Sequence, residues 1–135
     1  MRTKEVAATR EHDNGLDGGE ETAGTVEVSL NAIATVASKA ALICYGVVGT
    51  TPTRGKDDRV RVLDEENAAQ GIEVRYCDNT LVIDVHVVIE YGIRIFEVAH
   101  TILDTVTFAV RRALDGVPVR VNVHVEALRV SDPLA

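Results

Sequence analysis

The sequence predicts an α+β fold, a two-layer sandwich in the order β-α-β-β-α-β, with two helices on one face of a three- to four-stranded mixed sheet. Three observations carry that prediction. Valine occurs 22 times in 135 residues, while aromatics are 4% and tryptophan is absent; such β-branched side chains suit a pleated surface. Two apolar runs flank Asp78-Asn79, a pair that tolerates positive φ, which is the signature of a two-residue hairpin. Two further segments repeat small or aliphatic residues at spacings of three and four, the helical period, and elements in this order pack as a sheet covered by helices.

Residues Met1 to Gly24 hold three basic and six acidic residues, four glycines and no apolar periodicity. Such a stretch buries too little surface to offset ordering entropy, so 1–24 reads as a flexible acidic tail. A single domain over 25–130 and a C-terminal tail at 131–135 complete the expected organisation. The first strand is Thr25 to Ser29, with Val26, Val28 and Leu30 at period two. It runs into a helix from about Asn31 to Cys44, capped by Ser29 or Asn31. Ile33, Val36, Ala37, Ala40 and Ala41 make its narrow apolar stripe, and Lys39 faces water.

Gly46-Val47-Val48-Gly49 ends that helix, and a polar loop follows. A short strand near Val60 to Leu63 and a helical turn near Asp64 to Gln70 are expected there. In the hairpin, pairing sets Tyr76 against Leu81, Val74 against Ile83 and Ile72 against Val85, all on one apolar face. The other face carries Glu73, Arg75, Val82, Asp84, His86 and Val88. The second helix runs from about Phe96 to Leu114, with a core stripe of Ala99, Ile102, Leu103, Val106, Ala109, Val110, Ala113 and Leu114. The last strand, from Val117 to Val125, alternates strictly; beyond Ala127 the apolar phase slips to Leu128 and Val130, which a β-bulge would absorb.

Composition narrows function. A formal charge of −7 opposes binding to phosphate backbones, because that affinity depends on clustered cations releasing counterions. Nucleic acid is therefore a disfavoured partner, and a small single-strand nucleic-acid-binding domain is the alternative reading. Cys44 and Cys77 show no metal-type spacing and fit a reducing, cytoplasmic compartment; a buried small hydrophobe and a surface thiol are their expected roles. No segment has the length and apolarity of a membrane span and no secretion signal is read, so direct membrane insertion is not expected.

Several constellations invite chemistry. His86 and His124 with Asp84 could ligate a metal, yet no spacing fixes the geometry zinc needs, and a solvated or partner-contacting sheet face explains them better. Glu97, His100 and Asp104 share a helix face, but a carboxylate-bridged metal pair needs a second such set. Gly49 to Asp57 fails the spacing of a phosphate-binding loop, and Gly46 to Gly49 matches a backbone clamp of RNA-binding domains in two positions only. The serines and cysteines sit in no nucleophile elbow. No catalytic residue, cofactor or metal site is assigned. The candidate partner-facing residues are Arg75, Val82, Asp84, His86, Val88, Arg120, Asn122 and His124.

The segments Gly24 to Ser29, Ile33 to Ala37, Ala40-Ala41 and Gly46 to Gly49 resemble the opening of the alkaline shock protein (twenty-three type) family, in which a strand, an Ala-rich helix and a G-V-x-G turn follow one another. Tyr91-Gly92-Ile93-Arg94-Ile95-Phe96-Glu97-Val98-Ala99 is similar to that family's Y-G-x-x-I-x-E-V-A, and Val121 to Val125 to its V-N-V-x-V strand. The likeness covers Gly24 to Val130. Thr50 to Gln70 does not align, and Phe96 replaces the usual proline. The resemblance implies a bacterial cytoplasmic protein of the envelope stress response, without established catalysis. Such a protein self-associates and in some members is held at the membrane by a membrane-anchored partner of the same family. The expected function is thus a non-enzymatic scaffold acting as a homo-oligomer.

Overall fold

Residues 6–13, 23–52 and 60–130 are described by the structure, a computed structural model. The expected 131–135 tail, residues 1–5 and 14–22 of the N-terminal tail, and 53–59 of the polar loop lie outside the described residues. The elements are β1 (Val6–Asp13), β2 (Ala23–Ser29), α1 (Leu30–Leu42), β3 (Val47–Thr50), a 3-10 helix (Glu65–Gly71), β4 (Ile72–Cys77), β5 (Thr80–Glu90), α2 (Ile95–Ala113) and β6 (Val119–Arg129). The fold is α+β as expected, with the predicted series present and two strands and a 3-10 helix added to it.

β5 organises the sheet. Antiparallel β4 pairs with its first half and antiparallel β3 with its second half, end to end along one edge, while β6 runs parallel along the other. The hairpin register is the predicted one, with Tyr76 opposite Leu81, Val74 opposite Ile83 and Ile72 opposite Val85. Asp78 (φ 47°) and Asn79 (φ 66°) both take the left-handed conformation that such a tight turn requires. The predicted bulge also occurs: Val125 faces Val87 and Ala127 faces Val88, so Glu126 is the extra residue. Leu128 thereby returns to the same face as Ile89.

Both helices cover one sheet face. Ile33, Ala37 and Ala41 of α1 and Val98, Ile102, Val106 and Val110 of α2 close over Leu81, Ile83, Val85, Val87, Ile89 and Val121. Ser29 caps α1, its Oγ accepting from the Ala32 amide at 3.1 Å. The α2 stripe is displaced from the sequence reading: Val98 is buried, whereas Ala113 is exposed. Tyr76 shares the core face but is 46% exposed. All five aromatic side chains, Tyr45, Tyr76, Tyr91, Phe96 and Phe108, are on the surface, and the core is aliphatic throughout.

Three expectations are corrected. Val6–Asp13 is not tail but a strand, paired antiparallel with β2 in a separate two-stranded sheet; a backbone ladder satisfies peptide groups without the apolar burial on which the sequence argument relied. The glycine-flanked segment 46–49 does not simply end a helix. The helix has already stopped at Leu42 with Ile43 as its C-cap, and Gly46 (φ +89°) lies in the turn from which Val47 enters β3. Val60 to Leu63 forms no strand; the Leu63 amide donates to the Thr50 carbonyl at 2.8 Å. The helical turn expected at 64–70 is the 3-10 helix, capped by Asp64.

Gly71 lies where the 3-10 helix meets β3: a Cβ there would sit 2.7 Å from the Thr51 carbonyl oxygen, a backbone atom that cannot yield cheaply. Gly71→Ala therefore destabilises by about 1–3 kcal/mol. Ile83→Ala, at a fully buried position, costs about 2–5 kcal/mol. Urea denaturation of the two variants beside Tyr91→Ala, which shifts stability by less than about 0.5 kcal/mol, checks all three.

Candidate functional site

The sheet face away from the helices carries a continuous polar array, built because strand side chains alternate and β5 has neighbours on both edges. Asp84 is its centre. Oδ2 accepts from Arg75 Nη1 at 2.7 Å, and Oδ1 accepts from Asn122 Nδ2 and His124 Nε2, each at 3.0 Å. Asn122 is the direct cross-strand partner of Asp84 on β6, whereas Arg75 and His124 reach it diagonally. Burial pushes the Asp84 carboxyl up, but the hydrogen bonds from His124, Arg75 and Asn122 and the Arg75 charge outweigh it and hold the group at about 2. Asp84 in turn, through its hydrogen bond and charge, keeps the Arg75 guanidinium more firmly protonated.

His86 and His124 are directly opposed across β5 and β6, and their rings stack with centroids 4.7 Å apart and planes 14° from parallel. Each imidazole donates to a carboxylate. His124 does so to Asp84, and His86 Nδ1 to Glu126 Oε2 at 2.7 Å. The bulge brings Glu126 to that position. Among the described residues His86 Nε2 finds no hydrogen-bond partner; it is buried 3.9 Å from Glu73 Oε1. Rings stacked face to face direct their remaining nitrogens side by side rather than at one point. Among the described residues no group of three or more His, Cys, Asp and Glu side chains is placed to hold a metal ion.

The eight residues singled out from the sequence all lie on this face, but they are not equally accessible. Arg75 and His124 keep side-chain exposures of 56% and 44%, Arg120 is exposed and Asn122 half-buried. Val82, Asp84, His86 and Val88 are buried between the flanking strands. Val62 adds cover beside Gly49, the cross-strand partner of Val88. What a partner could touch is thus the rim of the array, and the central strand only supports it. Glu73 and Glu126 belong to the array although neither was among the eight; the phase slip at 126 was the available signal for the second.

The other constellations do not assemble. Glu97 pairs with Arg94 at 3.5 Å on the open side of α2, and His100 and Asp104 are exposed there. Cys44 is buried, its Sγ donating to the Ala40 carbonyl at 3.5 Å, and Cys77 is exposed, as expected for a small hydrophobe and a surface thiol.

A family model for the alkaline shock protein (twenty-three type) family, described as having a cell envelope-related function, matches residues 18–130. The chain is 34% identical over 111 residues to the Bacillus subtilis (strain 168) protein named uncharacterized protein YloU, covering 82% of this chain and 92% of that protein. It is 35% identical over 108 residues to uncharacterized protein Spy1614 of Streptococcus pyogenes serotype M6, covering 79% and 89% respectively. No solved structure matches the chain.

The depressed Asp84 value makes stability depend on pH in a definite direction. The ionised carboxylate stabilises the fold at pH values above the ordinary 3.8, and that contribution is lost as pH falls from 3.8 towards about 2. The amount at stake is about 2 kcal/mol. Denaturant titrations across this range show the loss in the native protein, and Asp84→Asn, which cannot ionise there, lacks this component.

Proposed function

The chain belongs to the alkaline shock protein (twenty-three type) family, with its cell envelope-related function, and from that premise we propose that it is a non-enzymatic structural or scaffolding protein of the envelope stress response. It acts through self-association and protein partners at the cytoplasmic side of the membrane. One observation supports this above the rest: the polar sheet face is braced before any partner arrives. Three donors fix Asp84, and that fixes the directions of Arg75, Asn122 and His124. A surface whose side chains are already ordered gives up little conformational entropy on docking, which suits a lasting protein contact.

The same face argues against nucleic acid. Glu73, Asp84 and Glu126 lie within it beside the histidines, and carboxylates so placed repel phosphates and weaken counterion-release binding. Membrane attachment in this reading is made by a membrane-anchored protein of the same family that docks on the rim of the array. Among the described residues no helix is long and apolar enough to cross a membrane.

Proximity labelling from the full chain in its native host tests the reading. A membrane-anchored neighbour recurs with the native protein and is depleted several-fold for Arg120→Glu, a change at an exposed rim position that leaves the far-UV circular dichroism unaltered. Labelling of soluble enzymes or nucleic-acid-bound proteins alone, with no membrane neighbour, overturns it.

A further inference from the structure

The layer opposite the polar face carries a second surface. Between α1 and α2 runs an open groove of about 680 Å³ whose apolar lining includes Val36, Ala40, Ile43 and Ala109. Phe108 stands at its edge with 64% exposure, and Ile43 is 78% exposed. Lys39 and Arg112 line the same groove, and the Arg112 guanidinium lies 5.8 Å from the centroid of the Phe108 ring. Large apolar side chains left open on a groove with small residues in its lining are the usual mark of a surface that packs against another helix.

The charge order along α2 selects the occupant. Asp104 lies one turn before Phe108 and Arg112 one turn after it, so the three share a stripe, and both charged residues are exposed. In an antiparallel pair of such helices crossing at Phe108, the Asp104 of each copy meets the Arg112 of the other, about 6 Å along the axis from the crossing. An acidic partner helix would meet Asp104 unfavourably, and so would an anionic lipid surface. A partner helix with the same order of charges, inverted, satisfies both ends of the Asp104–Arg112 stripe. A chain of net charge −7 repels its own copies unless the contact itself is complementary in this way.

We propose that two copies of this chain pair through α2 about a two-fold axis at Phe108, each Phe108 ring seating in the α1–α2 groove of the other copy and each Asp104 facing the other copy's Arg112. The arrangement is isologous, with an aromatic centre and a charged rim. It deepens the self-association half of the proposed function by naming the surface, and it leaves the polar sheet face free for other partners.

Sedimentation velocity on the full chain over a concentration series tests this. The native protein forms dimers of the 14.6 kDa chain. Phe108→Ser weakens the association by about thirtyfold, the loss expected for a central aromatic anchor. Asp104→Arg and Arg112→Asp each weaken it, and the double charge swap restores it to within a few-fold of native; the restoration would not occur if the single changes acted by harming the fold. If the native chain associates and Phe108→Ser, Asp104→Arg and Arg112→Asp each leave its mass distribution unchanged, the pairing is wrong while self-association stands. If Arg120→Glu alone dissolves the dimer, self-association runs through the sheet face and the pairing is likewise wrong. A native chain that stays monomeric at every concentration overturns the pairing and the self-association reading together. Binding to vesicles of anionic phospholipid that is lost in Phe108→Ser, with no dimer in the native protein, assigns the groove to lipid and overturns the proposal.

Discussion

The constraint on which the molecule rests is that β5 has neither a free edge nor a free face. From Leu81 to Ile89 every residue is buried. Its peptide groups are answered by β3 and β4 on one side and β6 on the other, and its odd-numbered side chains are the floor of the aliphatic core. The even-numbered positions point the other way, and two of them, Asp84 and His86, are ionisable. A carboxylate and an imidazole at the centre of a sheet cannot remain unpartnered without a cost of several kcal/mol. Arg75, Asn122, His124 and Glu126 are the answer to that cost. The polar array is thus a consequence of the strand's burial, and so is its rigidity.

The two faces solve different problems with the same alternation. On the helix side, matched valines, isoleucines and leucines pack without aromatics, so narrow side chains and the alanine-rich stripe of α1 let the layers approach closely. On the other side, cross-strand neighbours are polar and must satisfy one another. The bulge at Glu126 serves both requirements. It returns Leu128 to the core face and places a carboxylate against His86 Nδ1. A one-residue irregularity in an edge strand therefore joins core packing to the chemistry of the outer face.

What the sequence reveals follows from how local its signals are. The hairpin register, the Asp78-Asn79 turn, both helices and the bulge were legible because each rests on periodicity or turn chemistry within about ten residues. The eight residues proposed for the second face do share it, for the same reason. β3 was not legible: four residues, one a glycine, are recognisable as a strand only through their pairing with Val87 to Ile89. The β1–β2 pairing is hidden in the same way, since its support is a backbone ladder and not an apolar pattern. Burial of Val82, Asp84, His86 and Val88 also escaped the sequence, because it arises from strands on both sides, and alternation alone cannot tell a central strand from an edge.

The placement of the aromatic residues has a spectroscopic meaning. With no tryptophan and with Tyr45, Tyr76 and Tyr91 all on the surface, the near-ultraviolet chromophores sit where solvent already reaches them, and unfolding changes their surroundings little. The light this protein absorbs and emits thus reports little on its own core, and loss of the fold is better followed through the backbone in the far ultraviolet.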